Sequence, residues 1–131
     1  MVKQQSGRII HVASIQGFAA SGDCGSYNAA KGGIIAYTKS MAVELGRYNI
    51  FVNAVAPGPV WTPLNPADKQ AKDVAEFGKD SDMGRPAQPE ELSPAYVFLA
   101  SPACASYISG VILPVMGGPR RERAAATPED R

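Results

Sequence analysis

Tyr27 and Lys31 are the two residues of this sequence whose types and spacing most directly suggest chemistry. In the segment Tyr27-Asn28-Ala29-Ala30-Lys31, taken as one helical turn, the two side chains lie four positions apart on the same face. A phenol loses its proton near pH ~10, too high for exchange at neutral pH, but a fixed neighbouring cation favours the phenolate. Such a pair is a workable general acid and base for a carbonyl or an alcohol. The same spacing is common on helix surfaces, so the pair gains meaning only from its neighbours.

Ser14 and two apolar runs are the neighbours that favour a site. Ser14 closes an apolar run and precedes Tyr27 by thirteen residues, and a second run, from Ile50 to Ala56, ends in Pro57-Gly58. Short continuous apolar runs are typical of buried parallel strands, and ligands bind beyond the carboxyl ends of such strands. We therefore expect Ser14 and the Pro57-Gly58 turn to border the same site as Tyr27, although a Pro-Gly pair also simply ends strands.

The order and spacing of these pieces resemble the short-chain dehydrogenase/reductase family from about Gly7 to Gly118. The segments that carry the resemblance are Ser14, Tyr27-x-x-x-Lys31, Val52-Asn53-Ala54-Val55-Ala56-Pro57-Gly58, Thr62, Arg85-Pro86 to Glu91-Leu92, Phe98-Leu99-Ala100-Ser101, Ser109-Gly110 and Gly117-Gly118. The resemblance implies a Rossmann-like three-layer α/β/α fold, here reduced to about three parallel strands with flanking helices. It also implies NAD(P)-dependent carbonyl reduction or alcohol oxidation.

Three matched residues take catalytic roles by this resemblance. Tyr27 would exchange a proton with the substrate oxygen, and Ser14 would orient that oxygen. Lys31 would favour the phenolate and hold the nicotinamide ribose. By the same resemblance, Tyr27 would also contact the cofactor, so both residues are expected cofactor contacts as well.

Four further residues are cofactor contacts by the same resemblance. Pro57, Gly58 and Val60 would lie against the nicotinamide end of NAD or NADP, with Val60 offering its backbone amide. Thr62 would hydrogen-bond near the carboxamide or the diphosphate.

The family's glycine-rich turn for the pyrophosphate has no counterpart in these 131 residues. The resemblance therefore identifies residues 1–118 as the C-terminal, catalytic half of a reductase, whose activity as an isolated chain we expect to be impaired. Residues 119–131, charged and rich in Ala and Pro, are expected to be a disordered tail. The alternative is a non-catalytic fragment that acts only as a dimerisation or interaction module. In either case the helix from Ser26 to Arg47 is the expected interface of a homo-oligomer, because the corresponding helix pairs in the family.

Composition excludes several other classes. The 13 Lys and Arg residues nearly balance the 12 Asp and Glu residues, so a net charge of +1 implies no general attraction to nucleic acid or to an anionic membrane. Cys24 and Cys104 lie in no metal-ligand pattern and indicate free thiols in a reducing compartment. No apolar run approaches the ~20 residues of a membrane span. We expect a cytoplasmic protein that holds no metal and acts on a small carbonyl or alcohol.

The patterns also predict the elements that must position these residues. The predicted strands are Gly7 to Ser14, Ile50 to Ala56 and Val111 to Val115, the last an edge strand because Pro114 lacks an amide donor. The predicted helices are Ser26 to Arg47, in which Gly32 and Gly33 require close packing, and Pro89 to Leu99. Between them, Trp61 to Gly84 is expected to be a mobile flap with a weak helix from Ala67 to Phe77. Trp61 and Met83 could line an apolar pocket there or could equally be packing residues.

Overall fold

A parallel sheet forms the centre of the molecule. The computed structural model describes residues 1–22 and 24–118, with only the backbone of Asp68, and within them the sheet has three strands in the order β1-β2-β3. The strands are β1 (Gly7–Val12), β2 (Ile50–Pro57) and β3 (Ile112–Val115), and both pairings are parallel. The expected Rossmann-like architecture of three parallel strands with flanking helices is confirmed.

Four helices accompany the sheet in the described residues. They are α1 (Gly25–Leu45), α2 (Leu64–Asp68), α3 (Ala71–Glu76) and α4 (Pro89–Ala100), with 3-10 turns at Ile15–Gly17 and Gly46–Tyr48. The long helix α1 was expected to reach Arg47, but its last turn tightens into the second of these 3-10 turns. Asn49 then adopts a left-handed conformation (φ 55°), which ends the helical segment one residue before β2.

The central strand β2 forms the core because a helix covers each of its faces. Ala54 and Ala56 pack with Ile35 of α1. Val55 lies between them in the strand and therefore points to the other face, where it is fully buried. The helix α4 also packs on β2. This burial explains why β2 reads as a nearly continuous apolar run.

The expectation that β1 is a buried strand is wrong. Its residues are half-buried and Val12 is 52% exposed, because β1 is an edge strand of the described sheet and pairs only with β2 there. The strand also ends at Val12, before the predicted Ser14. The prediction that β3 is an edge strand is confirmed, and Pro114 stands in it opposite Ala56.

Two predictions inside helical segments also need correction. The weak helix expected over residues 67–77 is instead two short helices, α2 and α3, separated by extended backbone at Lys69 and Gln70. Gly33 of α1 does not need close packing within this chain, since a Cβ placed there would meet nothing within 4 Å. At Gly32 an added Cβ would meet only the carbonyl oxygen of Gly17, at an ordinary van der Waals distance of 3.7 Å.

A capping box and an ion pair define the start of α4. The Glu91 carboxylate accepts hydrogen bonds from the backbone N–H of Gln88 (2.8 Å) and from two nitrogens of Arg85 (2.7 and 2.8 Å). The Arg85 hydrogen bond, followed by that of Gln88, lowers the pKa of Glu91 from 4.5 to about 2. Because the folded-state pKa is lowered, the stabilisation is complete above pH 4.5 and is lost as the pH falls towards 2.

Replacing this carboxylate gives a pH-dependent prediction. Glu91→Gln should lower the melting temperature above pH 4.5, and the difference from wild type should shrink as the pH approaches 2. Both groups are solvent-exposed, so the decrease should be modest. Thermal unfolding followed by circular dichroism across this range measures it. Glu90→Gln is the matched control, since it removes a carboxylate from the same turn and leaves the Arg85 pair intact. An equal decrease for both variants would contradict the account.

Candidate active site

Ser14 lies just beyond the carboxyl end of β1. The N–H of Ala13 donates to the carbonyl of Val55 (2.8 Å), which carries the chain in register past the last residue of the strand. Ser14 is buried and caps the following 3-10 turn, because its Oγ accepts a hydrogen bond from the N–H of Gln16 (3.2 Å). Its carbonyl accepts a second one from the N–H of Gly17 (3.0 Å). The serine is therefore held in a fixed turn at the strand end.

Lys31 connects the helix α1 to that strand end. Its Nζ donates a hydrogen bond to the carbonyl of Val12 (3.0 Å) and lies 5.7 Å from the centroid of the Tyr27 ring. The predicted common face of Tyr27 and Lys31 is thus present. Tyr27 itself is 46% exposed, so its phenol is open to a ligand from solvent. One ammonium group thereby approaches both the phenol and the residue that closes β1.

Gly17 is the contact that sets the Ser14 turn against α1, and the sequence interpretation missed it. A Cβ at this position would lie 2.9 Å from the backbone carbonyl of Lys31 and 2.7 Å from Ile35 Cδ1. Only glycine lets the turn approach the helix this closely. The available signal was a glycine three residues after a strand-end serine.

Filling this contact should loosen the site. Gly17→Ala should lower the free energy of unfolding by about 1–3 kcal/mol, because the backbone of Lys31 cannot move aside as a flexible side chain could. Gly33→Ala is the matched control: its Cβ would meet nothing within 4 Å, and alanine is favoured over glycine in a helix interior by up to about 1 kcal/mol. Urea unfolding of both variants measures the contrast. Equal stability of Gly17→Ala and wild type would contradict this close packing.

Asn28, the residue after Tyr27, holds the rim of the candidate site. Its Nδ2 donates a hydrogen bond to the carbonyl of Ser21 (2.8 Å), which ties the loop before α1 to the first turns of the helix. The sequence analysis assigned no role to Asn28. The hydrogen bond crosses seven residues, which a pattern of residue types does not reveal.

Pro57 and Gly58 end β2 at the same edge of the sheet. Parallel strands share the direction of their carboxyl ends, so this turn and Ser14 lie on one side. The N–H of Gly58 donates to the carbonyl of Val115 (2.9 Å), and a Cβ on Gly58 would lie 2.8 Å from Met116 Cα. Glycine is therefore required here by the segment that follows β3, independently of any cofactor.

The backbone N–H of Val60 points away from Ala87, the residue with which Val60 forms an isolated β-bridge. The N–H of Ala87 donates to the carbonyl of Pro59 (2.9 Å), and the N–H of Trp61 donates to the carbonyl of Ala87 (2.8 Å), so Val60 forms a parallel bridge with Ala87. In extended backbone, consecutive peptide groups point to opposite sides. The N–H of Val60 thus faces away from Ala87. In this orientation it could donate a hydrogen bond to a ligand on the opposite side.

Thr62 is hydrogen-bonded inside its own segment. Asn65 Oδ1 accepts from the N–H of Thr62 (2.7 Å) and from its Oγ1 (3.2 Å). The structure therefore places Thr62 after Val60 as expected, but its hydroxyl already has a protein partner. The sequence interpretation did not single out Asn65.

The flap forms a small cavity with the segment after β3. The cavity has a volume of about 220 Å³, and its walls include Met83, Arg85, Glu91 and Met116. Met83 is among its lining residues and Trp61 is not, and the Arg85–Glu91 pair makes the cavity partly polar rather than apolar. The N–H of Met83 also donates to the carbonyl of Gly117 (3.1 Å), which holds this part of the flap against the sheet.

The described residues also bear on metals and membranes. Cys24 and Cys104 are exposed and not in a disulfide. Over residues 1–22 and 24–118, no group of three His, Cys, Asp or Glu side chains is arranged to hold a metal ion. In the same ranges, no helix has both the length and the apolar character that crossing a membrane requires. The tail expected at 119–131 lies outside the described residues.

Known proteins match this arrangement in both sequence and structure. Residues 1–119 match the family described as Enoyl-(Acyl carrier protein) reductase. The chain therefore belongs to the short-chain dehydrogenase/reductase family, and its relatives include dehydrogenases and reductases.

Two relatives and one solved structure illustrate the similarity. Glucose and ribitol dehydrogenase homolog 2 of Arabidopsis thaliana is 43% identical over 115 residues, which are 88% of this chain and 40% of the relative. NADPH-dependent aldehyde reductase 1, chloroplastic, of the same plant is 40% identical over the same shares of both chains. The crystal structure of a 3-oxoacyl-[acyl-carrier protein] reductase with bound NAD from Brucella melitensis superposes with a TM-score of 0.76 at 36% identity, covering 90% of this chain and 42% of that one. This chain thus spans about two fifths of the length of the curated relatives it matches.

Proposed function

We propose that this chain carries the catalytic residues of an NAD(P)-dependent oxidoreductase that interconverts small carbonyl compounds and alcohols. The observation that carries the proposal is the position of Lys31 Nζ, 5.7 Å from the Tyr27 ring and 3.0 Å from the carbonyl that ends β1. A cation held there by the backbone stays beside the ring whose hydroxyl is the proposed proton carrier. The dehydrogenases and reductases among its relatives support the same class of reaction.

In this proposal the protein residues handle the proton and the orientation of the substrate. Tyr27 donates its phenolic proton to the substrate oxygen during reduction and accepts it during oxidation, while Ser14 orients that oxygen. Lys31 holds the nicotinamide ribose and keeps its ammonium beside the Tyr27 ring. The bound nicotinamide supplies or accepts the hydride, and the protein contributes geometry and electrostatics.

The end of β2 is the proposed site for the nicotinamide end of the cofactor. Pro57, Gly58 and Val60 are the proposed contacts, and the outward N–H of Val60 fits an acceptor such as a carboxamide oxygen. Thr62 completes this set. Two similar proteins support a nicotinamide dinucleotide by their names, an NADPH-dependent aldehyde reductase and a reductase with bound NAD.

We propose further that residues 1–118 correspond to the C-terminal half of the family's domain, with 119–131 as a tail. These 131 residues contain no glycine-rich pyrophosphate turn, and the chain covers 40% of the Arabidopsis relatives. Binding energy from the remote part of a cofactor is what positions its reactive ring. The isolated chain should therefore bind the cofactor weakly and turn over poorly.

A homo-oligomer that pairs through α1 belongs to the same proposal, with a cytoplasmic location and no nucleic acid or membrane partner. The outward side of α1 exposes small residues beside larger apolar ones, including Tyr37 (55% exposed) and Val43 (87% exposed). Exposed apolar side chains on a helix that also presents small residues are compatible with a surface for association.

The same surface favours the second candidate function, a non-catalytic interaction module. Besides the exposed face of α1, the outer edge of β1 offers backbone groups that could pair with another strand. A module of this kind needs neither Tyr27 nor a cofactor. Turnover that depends on Tyr27 separates the two functions.

The test compares the purified 131-residue chain with a fused chain. In the fused chain, the residues that precede the matched region in the Arabidopsis aldehyde reductase are joined to Met1 of this chain. NADPH and NADH are titrated by the fluorescence of the bound cofactor, and aldehyde-dependent cofactor oxidation is then measured. We expect binding and turnover in the fused chain and neither at micromolar cofactor in the isolated chain. Micromolar binding with turnover by the isolated chain would contradict the need for the preceding half. No turnover by a folded, cofactor-binding fused chain would favour the module.

A further inference from the structure

Asn65 is a buried polar residue that the proposed function has not used. It is 7% exposed and lies in the first turn of α2. Its Oδ1 accepts from the N–H of Thr62 (2.7 Å) and from Thr62 Oγ1 (3.2 Å), and its own N–H donates to the carbonyl of Thr62 (3.0 Å). Three hydrogen bonds thus join Asn65 to one residue, which is itself a proposed cofactor contact.

The chemistry of these bonds determines the direction of the hydrogen bond that the Thr62 hydroxyl makes. A backbone N–H can only donate, so the Asn65 atom 2.7 Å from it is the amide oxygen. An amide oxygen can only accept, so Thr62 Oγ1 must donate its single proton to Asn65. The lone pairs of Oγ1 are what Thr62 has left for a ligand.

We propose that Asn65 is a positioning residue that makes the Thr62 hydroxyl a hydrogen-bond acceptor and thereby selects the carboxamide of the cofactor over its diphosphate. A carboxamide N–H₂ donates and suits the lone pairs of Thr62. A diphosphate oxygen accepts and would need the proton that Asn65 already holds. This inference rests on the proposed function, and it decides between the two ligand groups that the family resemblance left open for Thr62.

The orientation of Thr62 also becomes tied to the flap. Asn65 belongs to α2 (Leu64–Asp68), so the acceptor state of Thr62 depends on the first turn of this short helix being formed. The bond to Oγ1 is the longer of the two made by Oδ1, whereas the 2.7 Å bond to the N–H of Thr62 anchors the turn.

The test uses the isotope-labelled 131-residue chain and two cofactors that differ only in the proposed donor. The cofactors are NADH and its reduced 3-acetylpyridine analogue, in which a methyl group replaces the carboxamide N–H₂ but the carbonyl oxygen remains. Both are titrated to millimolar concentration and followed by backbone amide NMR shifts, which detect weak binding. We expect NADH to bind about fivefold more tightly than the analogue, as one neutral hydrogen bond would give.

Variants of Asn65 and Thr62 show whether these two residues cause the preference for NADH over its analogue. Asn65→Ala should reduce it to about onefold, because the Thr62 hydroxyl is then free to rotate, whereas Asn65→Asp retains an acceptor and should preserve it. Thr62→Val should also remove the preference, and Thr62→Ser should keep it. If Asn65→Ala does not give a folded spectrum, loss of the preference in Thr62→Val with retention in Asn65→Asp still supports the proposal.

Three results would overturn it. A preference that persists in folded Asn65→Ala or in Thr62→Val would show that Asn65 and Thr62 do not read the carboxamide. Equal binding of both cofactors by wild type, with shifts at Tyr27 and Lys31, would overturn this inference and leave the proposed function standing. The absence of shifts with either cofactor at millimolar concentration would overturn this inference, whereas the proposed function is decided by turnover of the fused chain.

Discussion

Replacing Tyr27 by phenylalanine should lower the turnover of the fused chain by about 10²–10⁴-fold, the usual contribution of a general acid. The phenyl ring keeps the shape of the side chain but has no proton to exchange with the substrate oxygen. Lys31, the proposed ribose contact, is unchanged in this variant, so the cofactor dissociation constant should rise much less than turnover falls.

Steady-state kinetics together with a cofactor titration of the same variant measure both quantities. Tyr37→Phe is the matched control, because Tyr37 lies on the same helix with its ring exposed and has no place in the proposed site. Equal turnover in wild type and Tyr27→Phe would exclude the phenol as the acid.

Replacing Lys31 by alanine should damage both cofactor binding and turnover. The variant loses the ammonium beside Tyr27, its hydrogen bond to Val12, and the proposed contact with the nicotinamide ribose. A hydrogen bond to a charged group contributes about 1.5–3 kcal/mol, so the cofactor dissociation constant should rise by roughly ten- to a hundredfold. Turnover at saturating cofactor should fall as well, since the variant lacks the ammonium that lies 5.7 Å from the ring of the proposed proton carrier.

The same two measurements test this variant, and Lys39→Ala is the control from another position of α1. A Lys31→Ala variant that keeps wild-type cofactor affinity would show that Lys31 does not hold the ribose. If its turnover also stayed at the wild-type level, the proposed role beside Tyr27 would be wrong as well.

The parts of the fold that depend on local sequence could be predicted. Tyr27 and Lys31 share a face because four residues make about one helical turn, and that holds wherever the helix lies. The position of β2 was recognisable because both of its faces are covered, which leaves a nearly continuous apolar run. The start of α4 is also local, since Pro89 and the Glu91 capping box occur within one turn.

The parts that depend on distant residues could not be predicted. The burial of β1 was overestimated because apolar residues do not show whether a neighbouring strand is present. The requirement for glycine at position 58 comes from Met116, which is far away in the sequence and contacts it only in the folded sheet. Gly17 is required for the same kind of reason, the backbone of Lys31. Asn65 is closer to its partner, but its role depends on the direction of a side chain, which residue spacing alone does not give.

The most direct test of the account is to follow the hydride itself. The fused chain is given NADPH that carries deuterium on the transferring side of the nicotinamide ring, and the alcohol formed from an aldehyde is analysed by mass spectrometry. The proposed site predicts one deuterium on the former carbonyl carbon with wild type and almost no labelled product with Tyr27→Phe. Labelled alcohol formed at the same rate by both proteins would contradict the assignment of Tyr27, Lys31 and Ser14 as the catalytic residues.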